Sequence, residues 1–217
     1  MRRLLLMAVF CAAFMTQASW ANTTWTEFNS VGSGTVTGTM GGVTVTYSSS
    51  DLNWAQINNT GTNWWLCGAT PCAAYSAAGV TSPDNVDMIS INGTDAEHTI
   101  TFSSPVTNPI MALISLGEPS IYTTYYFDQN FSILSDGPGW WGGPGTLNLV
   151  SGNGLQGIEG DGLIQFNGTF SQITWTGGNE EYWNGFNLAT TPEPSSLLLL
   201  GSGLLGGLGV VRRKLNR

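Results

Sequence analysis

Two pairs of adjacent tryptophans are the residues of this chain best suited to hold a ligand. Trp64-Trp65 lies in Gly-Thr-Asn-Trp-Trp-Leu, and Trp140-Trp141 in Asp-Gly-Pro-Gly-Trp-Trp-Gly-Gly-Pro-Gly. Neighbours on a strand point to opposite faces, so two adjacent rings cannot both enter one core. Around the second pair, Gly and Pro argue for a loop in which both rings are exposed. Flat aromatic faces stack on the apolar face of sugars, and nearby Asp, Asn and Gln hydrogen-bond the hydroxyls. Trp140, Trp141, Trp64 and Trp65 are therefore glycan-binding candidates. The structural alternative is that the rings cap the open ends of the fold.

The acids offer a second chemistry. Glu159 and Asp161 alternate in Ile-Glu-Gly-Asp-Gly-Leu-Ile, so both can face one side of a strand. Jelly-roll glycosidases resembling laminarinases carry Glu-x-Asp-x-x-Glu, giving a nucleophile, a helper and a general acid. Here Ile164 stands at the third acid position, which leaves the leaving group without a proton donor. A Ca²⁺ loop built from carboxylates and backbone carbonyls is the better chemical reading of Glu159 and Asp161, with a solvated turn as the plain one. Asp84 and Asp87, and separately Asp128, are further Ca²⁺ candidates, although neither segment has the spacing of an EF-hand. His98 is the only histidine. A Ser-His-Asp triad would need it, and the chain has no Gly-x-Ser-x-Gly elbow. On a strand it reads as a hydrogen-bonded residue of one face. No catalytic residue and no obligatory cofactor is assigned, and the protein is read as non-enzymatic.

Charge narrows the partners. All six Lys and Arg lie at the termini: Arg2, Arg3, Arg212, Arg213, Lys214 and Arg217. All fourteen acids fall between Glu27 and Glu193, so the net charge of −8 hides a purely anionic body. Binding nucleic acid by neutralising phosphates is excluded for such a surface. Cohesion must come from apolar burial, hydrogen bonds and cross-linking. Cys67 and Cys72, in Leu-Cys-Gly-Ala-Thr-Pro-Cys, read as a disulfide stapling a turn in an oxidising compartment. A metal site would lack further ligands nearby, and a redox pair would normally be Cys-x-x-Cys.

The elements that must carry these residues repeat with period two. Residues 35–39 and 43–47 alternate Thr with Val across Gly41-Gly42, a hairpin signal. Residues 86–91 and 98–102 repeat the pattern across Asn92-Gly93. The apolar run 110–116, between Pro109 and Gly117, reads as a buried central strand. Segments 121–127, 146–150, 163–166, 170–175 and 186–188 continue the series. Residues 48–85 are the least regular, and read as a long decorated loop or an excursion over one sheet. No body segment carries a helical stripe. Short strands rich in Thr, Val, Ile and aromatics predict an all-β fold, a single antiparallel β-sandwich or jelly roll over residues 22–189.

Both ends read as addresses. Arg2-Arg3, an apolar run over 4–14, and Ser19-Trp20-Ala21 form a signal peptide, cut by signal peptidase after Ala21. Cys11 leaves with it. At the other end, Thr191-Pro192-Glu193-Pro194 precedes seventeen uncharged residues, 195–211, and then Arg212-Arg213-Lys214. As a helix that stretch spans roughly 25 Å, a little short of a ~30 Å hydrocarbon core, and the basic cluster stays cytoplasmic. Pro192-Glu193-Pro194, the Leu/Gly helix and Arg212-Arg213-Lys214 together resemble the PEP-CTERM sorting signal of Gram-negative bacteria, over residues 190–217. An ordinary tail anchor would not need Pro-Glu-Pro at the membrane face. The resemblance implies a stay in the inner membrane, processing there by an exosortase, and a link to exopolysaccharide and biofilm. Residues 100–109 also resemble sandwich strands of exported proteins of that class. The expectation is an exported surface or matrix protein that binds glycan through loop aromatics. The alternatives are a purely structural envelope protein, bridged by Ca²⁺, and a carbohydrate-active enzyme.

Overall fold

Alternation of Thr with Val or Ile lets one side of a strand meet water while the other enters a core, and the described residues form seventeen strands. In chain order they are β1 (Thr24–Trp25), β2 (Glu27–Gly32), β3 (Thr35–Met40), β4 (Val43–Ser48), β5 (Leu52–Gln56), β6 (Leu66–Cys67) and β7 (Thr70–Pro71). A 3₁₀ turn at Ala73–Tyr75 precedes β8 (Met88–Ile91), β9 (Glu97–Thr107), β10 (Ile110–Leu116), β11 (Thr123–Phe127) and β12 (Phe131–Asp136). The last are β13 (Thr146–Val150), β14 (Gly154–Ile158), β15 (Gly160–Phe166), β16 (Thr169–Thr176) and β17 (Asn184–Thr190). The structure, a computed structural model, describes residues 23–92, 94–177, 179 and 181–191. The expected signal peptide over 1–21, the sorting residues Pro192, Glu193, Pro194, Arg212, Arg213 and Lys214, and the expected membrane helix over 195–211 lie outside the described residues.

The strands form two large antiparallel sheets. One runs β12-β15-β10-β17-β8-β5, with β1 also paired to β17; the other runs β13-β14-β11-β16-β9-β4-β3-β2. Phe28, Val45, Ile100, Tyr125 and Trp175 of the second sheet share one buried cluster with Met111, Leu113, Ile164, Phe166, Phe186 and Leu188 of the first. The arrangement is sandwich-like. Strand β9 shows the one-sided pattern, with His98, Ile100 and Phe102 buried while Glu97, Thr99 and Thr101 are not. Strands β10 and β17 are instead buried on both faces, which fits the apolar run of β10; β17 also buries Asn184 and Asn187, both hydrogen-bonded.

The second face of the first sheet is covered by the chain between β5 and β8. Trp65, Cys72, Ala74, Tyr75 and Val80 from that excursion pack on Trp25, Met88, Ile110, Ala112, Ile114 and Leu163. Burying Trp65 and Tyr75 removes 150–250 Å² apiece from water, worth about 4–6 kcal/mol each before entropy is set against it. Of the two readings open for residues 48–85, the excursion is the one that forms.

The Gly41-Gly42 hairpin forms as expected, with Met40 opposite Val43 and both glycines at positive φ. The second alternating pair is not a hairpin. Strand β8 pairs with β17 and β5, while β9 pairs with β16 and β4 in the other sheet. Five residues separate β8 from β9, too many for a two-residue turn, and the chain crosses between sheets there.

His98 sits on β9 with no exposure. Its Nδ1 lies 2.9 Å from the Tyr47 hydroxyl, and its ring stacks on Trp175 at 4.9 Å and 11°. Burial pushes its pKa down to about 4, against the pull of Asp51. At neutral pH it is uncharged, and it is a hydrogen-bonded residue on one face of β9, as its strand position predicted.

Candidate functional site

Gly and Pro build the loop that presents Trp140 and Trp141. Between β12 and β13 the chain runs out and back over residues 137–145. Its neck is closed by Gly137 N donating to the carbonyls of Gly145 and Asp161, both at 3.2 Å, and by Asp161 N donating to Gly145 O at 3.2 Å. Gly145 has φ +63°, and a Cβ there would lie 1.7 Å from Gly137 O, so only glycine fits. At the tip, Trp140 is 41% and Trp141 48% exposed.

Two further tryptophans meet this loop, and a third packs on one of them. Trp64 stacks on Trp141 with centroids 5.2 Å apart and planes at 16°, and meets Trp140 edge-on at 5.2 Å. Trp183 stands 5.3 Å from Trp141 at 69°, and Trp54 lies 5.4 Å from Trp183. Such pairs contribute ~0.5–1.5 kcal/mol each beyond burial, so the rings hold one another as a continuous aromatic surface. Of the sequence candidates, Trp64, Trp140 and Trp141 come together. Trp65 does not: it is fully buried and packs edge-on against Tyr75 at 5.1 Å. It lies in the turn before β6, where its backbone N–H donates to Asn63 Oδ1 at 3.1 Å, and its burial there removes it from the glycan-binding set.

The expected disulfide is present. Cys67 and Cys72 are bonded across the β6–β7 hairpin with Cα atoms 4.8 Å apart. The Cys67 sulfur packs 3.3 Å from Gly139 O. The staple thus braces Trp64 on one side and the base of the Trp140 loop on the other.

Beside the tryptophans opens a cleft of about 310 Å³, walled by Trp141, Trp183 and Tyr182 on the aromatic side. Ser115, Glu118, Glu159 and Glu181 form the polar side. Two of these residues sit in strained backbone. Ser115 has φ +56° where β10 bulges between Leu113 and Leu116, and Glu159 has φ +48° between β14 and β15. Left-handed backbone in non-glycine residues costs on the order of 1–2 kcal/mol, and bulges re-aim side chains. Here they turn Ser115 Oγ to donate to Glu159 Oε2 at 2.9 Å.

Asp161 lies behind that contact. It is buried, and its Oδ1 accepts from the Tyr75 hydroxyl at 2.7 Å and from Ser115 N at 3.1 Å. Burial pushes its carboxyl up to about 6, moderated by those two donors. It ties the excursion to the β10 bulge. Glu159 and Asp161 do share a side, as their alternation predicted, yet only Glu159 reaches the cleft.

Glu181 is the residue that sequence reading missed. It is 6% exposed and lines the cleft. Asn184 Nδ2 donates to its Oε1, and the Tyr125 hydroxyl donates to Asn184 Oδ1. Its Oε2 is buried and has no hydrogen-bond partner among the described residues. Burial pushes its carboxyl up to about 8; Asn184 and the Gly117 N–H pull it down, while Glu118 and Glu159 push it further up. It is therefore largely a neutral acid at neutral pH.

The Ca²⁺ candidates do not assemble. Among the described residues, no group of three or more His, Cys, Asp and Glu is placed to hold a metal ion. Asp87 is buried, its two oxygens accepting from Phe28 N at 2.8 Å and Asn59 N at 2.7 Å, so it clamps backbone. Asp128 accepts from Thr174 N at 3.0 Å, and Asp84 is exposed. Ile164 is fully buried in the core between the sheets, so the third position of the glycosidase pattern is structural.

Comparison with known proteins finds one match. The family model of the PEP-CTERM protein-sorting motif matches residues 190–214. No curated protein and no solved structure matches the chain.

Proposed function

From a chain that carries the PEP-CTERM protein-sorting motif, and so is an exported protein with exosortase as its processing partner, we propose that the β-sandwich body is a non-catalytic glycan-binding module. Its ligand is the exopolysaccharide of the cell that exports it. One observation carries the reading: Trp64, Trp140, Trp141 and Trp183, from three separate segments, converge on one surface bordering a cleft lined by carboxylates. Half-exposed indole faces have a stacking use that a solvated loop does not require. Glu118, Glu159 and Ser115 supply acceptors and a hydroxyl at the edge of those faces, which is the polar complement that sugar hydroxyls need.

The test is binding of the exported protein to polysaccharide extracted from its own cells. The Trp140→Ala, Trp141→Ala double variant should weaken binding at least about tenfold, because each ring supplies a stacking contact worth a kcal/mol or more. Unchanged binding would remove the aromatic surface from the account. Appearance of new reducing ends during the incubation would show turnover and overturn the non-catalytic assignment.

A further inference from the structure

The cleft concentrates negative charge and aromatic faces in a body that has no cation of its own. Residues 22–211 contain no Lys or Arg, and the single histidine is buried and neutral in the core. Glu118, Glu159 and Glu181 nonetheless line one cavity. Folding has gathered three carboxyl groups there with no cation to offset them, and burial, together with Glu118 and Glu159 nearby, makes Glu181 hold its proton; a ligand of opposite charge would relieve that cost. Glu181 Oε2 adds a separate pointer. It is a buried oxygen on a cleft-lining residue, its partner oxygen is held by Asn184, and nothing among the described residues hydrogen-bonds it.

The aromatic wall decides what kind of cation fits. Trp141 and Trp183 stand at 69° with centroids 5.3 Å apart, so their faces make a corner, and Tyr182 borders the same cavity. Indole faces attract organic ammonium groups through their quadrupole and stack against pyranose rings. A metal ion would use neither face, and no metal-holding group of side chains exists among the described residues. Anionic sugars such as uronic acids would meet three glutamates.

Resting on the glycan-binding reading of this same cleft, we propose that its ligand is an amino sugar. The protonated amine sits between Glu159 and Glu181, and the sugar ring lies on Trp141 within an amine-bearing polysaccharide. Ser115 holds Glu159 from behind, and Asn184 with Tyr125 holds Glu181. The groups facing Glu181 are Glu118 and Glu159 across the cleft, the Gly117 N–H and Asn184; none is cationic. An ammonium at this point favours the carboxylate, so Glu181 gives up its proton as the ligand enters.

The experiment is calorimetric titration of the exported protein, purified from expressing cells, with hexamers of glucosamine, N-acetylglucosamine and glucose, and with hexalysine. The glucosamine hexamer should bind at least about tenfold more tightly than either uncharged hexamer, the size expected for a charge-assisted contact. In mildly acidic buffer, where the ligand's amines are already protonated and Glu181 still holds its proton, binding should release that proton to the buffer, read from the dependence of the heat on buffer. Glu181→Gln should abolish that release, and both it and Glu159→Gln should weaken binding about tenfold. Each Gln keeps an oxygen to accept from Asn184 or Ser115, so the two variants test the site independently of each other's folding. Equal binding of the three sugar hexamers would overturn the ammonium assignment and leave the glycan reading standing. So would binding of the extracted polysaccharide with no response to the glucosamine hexamer. Hexalysine binding as tightly, with the same sensitivity to both variants, would show a peptide ammonium site instead. If neither any sugar hexamer nor the extracted polysaccharide binds, both readings fall.

Discussion

Glu181 makes the stability of this protein depend on pH in a direction opposite to that of most acid-rich domains. In the unfolded chain its carboxyl titrates near 4.5, and in the folded protein near 8. The folded state keeps the proton over a range where the unfolded state has lost it. Its contribution to stability is therefore complete below about 4.5 and is lost as pH rises through about 8. At 1.36 kcal/mol per unit, the loss between about pH 6 and about pH 8 is roughly 2 kcal/mol. For a domain of this size that is a fall in Tm of about 4–8 °C. Asp161, raised to about 6, acts in the same direction at the lower end of the range. His98 acts in the opposite direction, because a depressed folded pKa favours the folded state at higher pH. Its window runs from about 4 to 6.5, so it is nearly closed by pH 6.5. The assay is thermal unfolding followed by circular dichroism across that range, for the wild type and Glu181→Gln. The variant keeps an acceptor for Asn184 and has nothing to titrate, so its Tm should stay level and exceed the wild type at about pH 8. A wild-type Tm at pH 8 equal to or above that at pH 6, or a variant that follows the wild-type slope, would refute the assignment of Glu181 as a buried acid.

Two further expectations are simpler. Gly145→Ala places a methyl against the Gly137 carbonyl at positive φ; it should cost at least about 1 kcal/mol, loosen the neck of the Trp140 loop and weaken polysaccharide binding without changing the far-ultraviolet spectrum. Replacing Pro192-Glu193-Pro194 with alanines should leave the precursor in the inner membrane with its tail uncut, read from its intact mass; normal processing of that variant would remove the exosortase from the account.

The strands that were legible in the sequence are those whose side chains alternate or run apolar. The 35–39/43–47 hairpin, β10, β11, β13, β15, β16 and β17 all appear where Thr, Val, Ile and aromatics predicted them. Strand β14 was not legible, because Gly154 and Gly157 dilute its β signal. The structure gives the reason for Gly157: a Cβ there would lie 2.5 Å from Leu116 O. Strand β5 was hidden inside the irregular 48–85 segment, and β12, with its half-exposed Ser and Asp residues, has no clean inward face. The separation of β8 from β9 into two sheets was also out of reach, since local alternation reports the strand and not its partner.

For the site, the tryptophan pairs lead to the exposed aromatic surface, and burial in the turn before β6 then removes Trp65. Trp54, Trp183 and Glu181 were overlooked, although Glu181-Tyr182-Trp183 is an acid–aromatic run beside two glycines. What makes Glu181 distinctive is its burial against Asn184 and the nearness of Glu159, which only the fold brings about. The carboxylates chosen as Ca²⁺ candidates include Asp87, which clamps backbone, because a backbone clamp and a Ca²⁺ ligand share one composition. Only the direction of the N–H groups around them tells the two apart.

The claim on which the account stands is that glycan lies against the Trp64–Trp141–Trp183 surface. Indole N–H resonances report each tryptophan separately, so two-dimensional ¹H–¹⁵N spectra of the exported protein, recorded as its own polysaccharide is added, test it directly. The signals of Trp140, Trp141 and Trp183 should shift or broaden, while those of the buried Trp65 and Trp175 hold still. Shifts confined to other residues, or none at a saturating amount of polysaccharide, would contradict it.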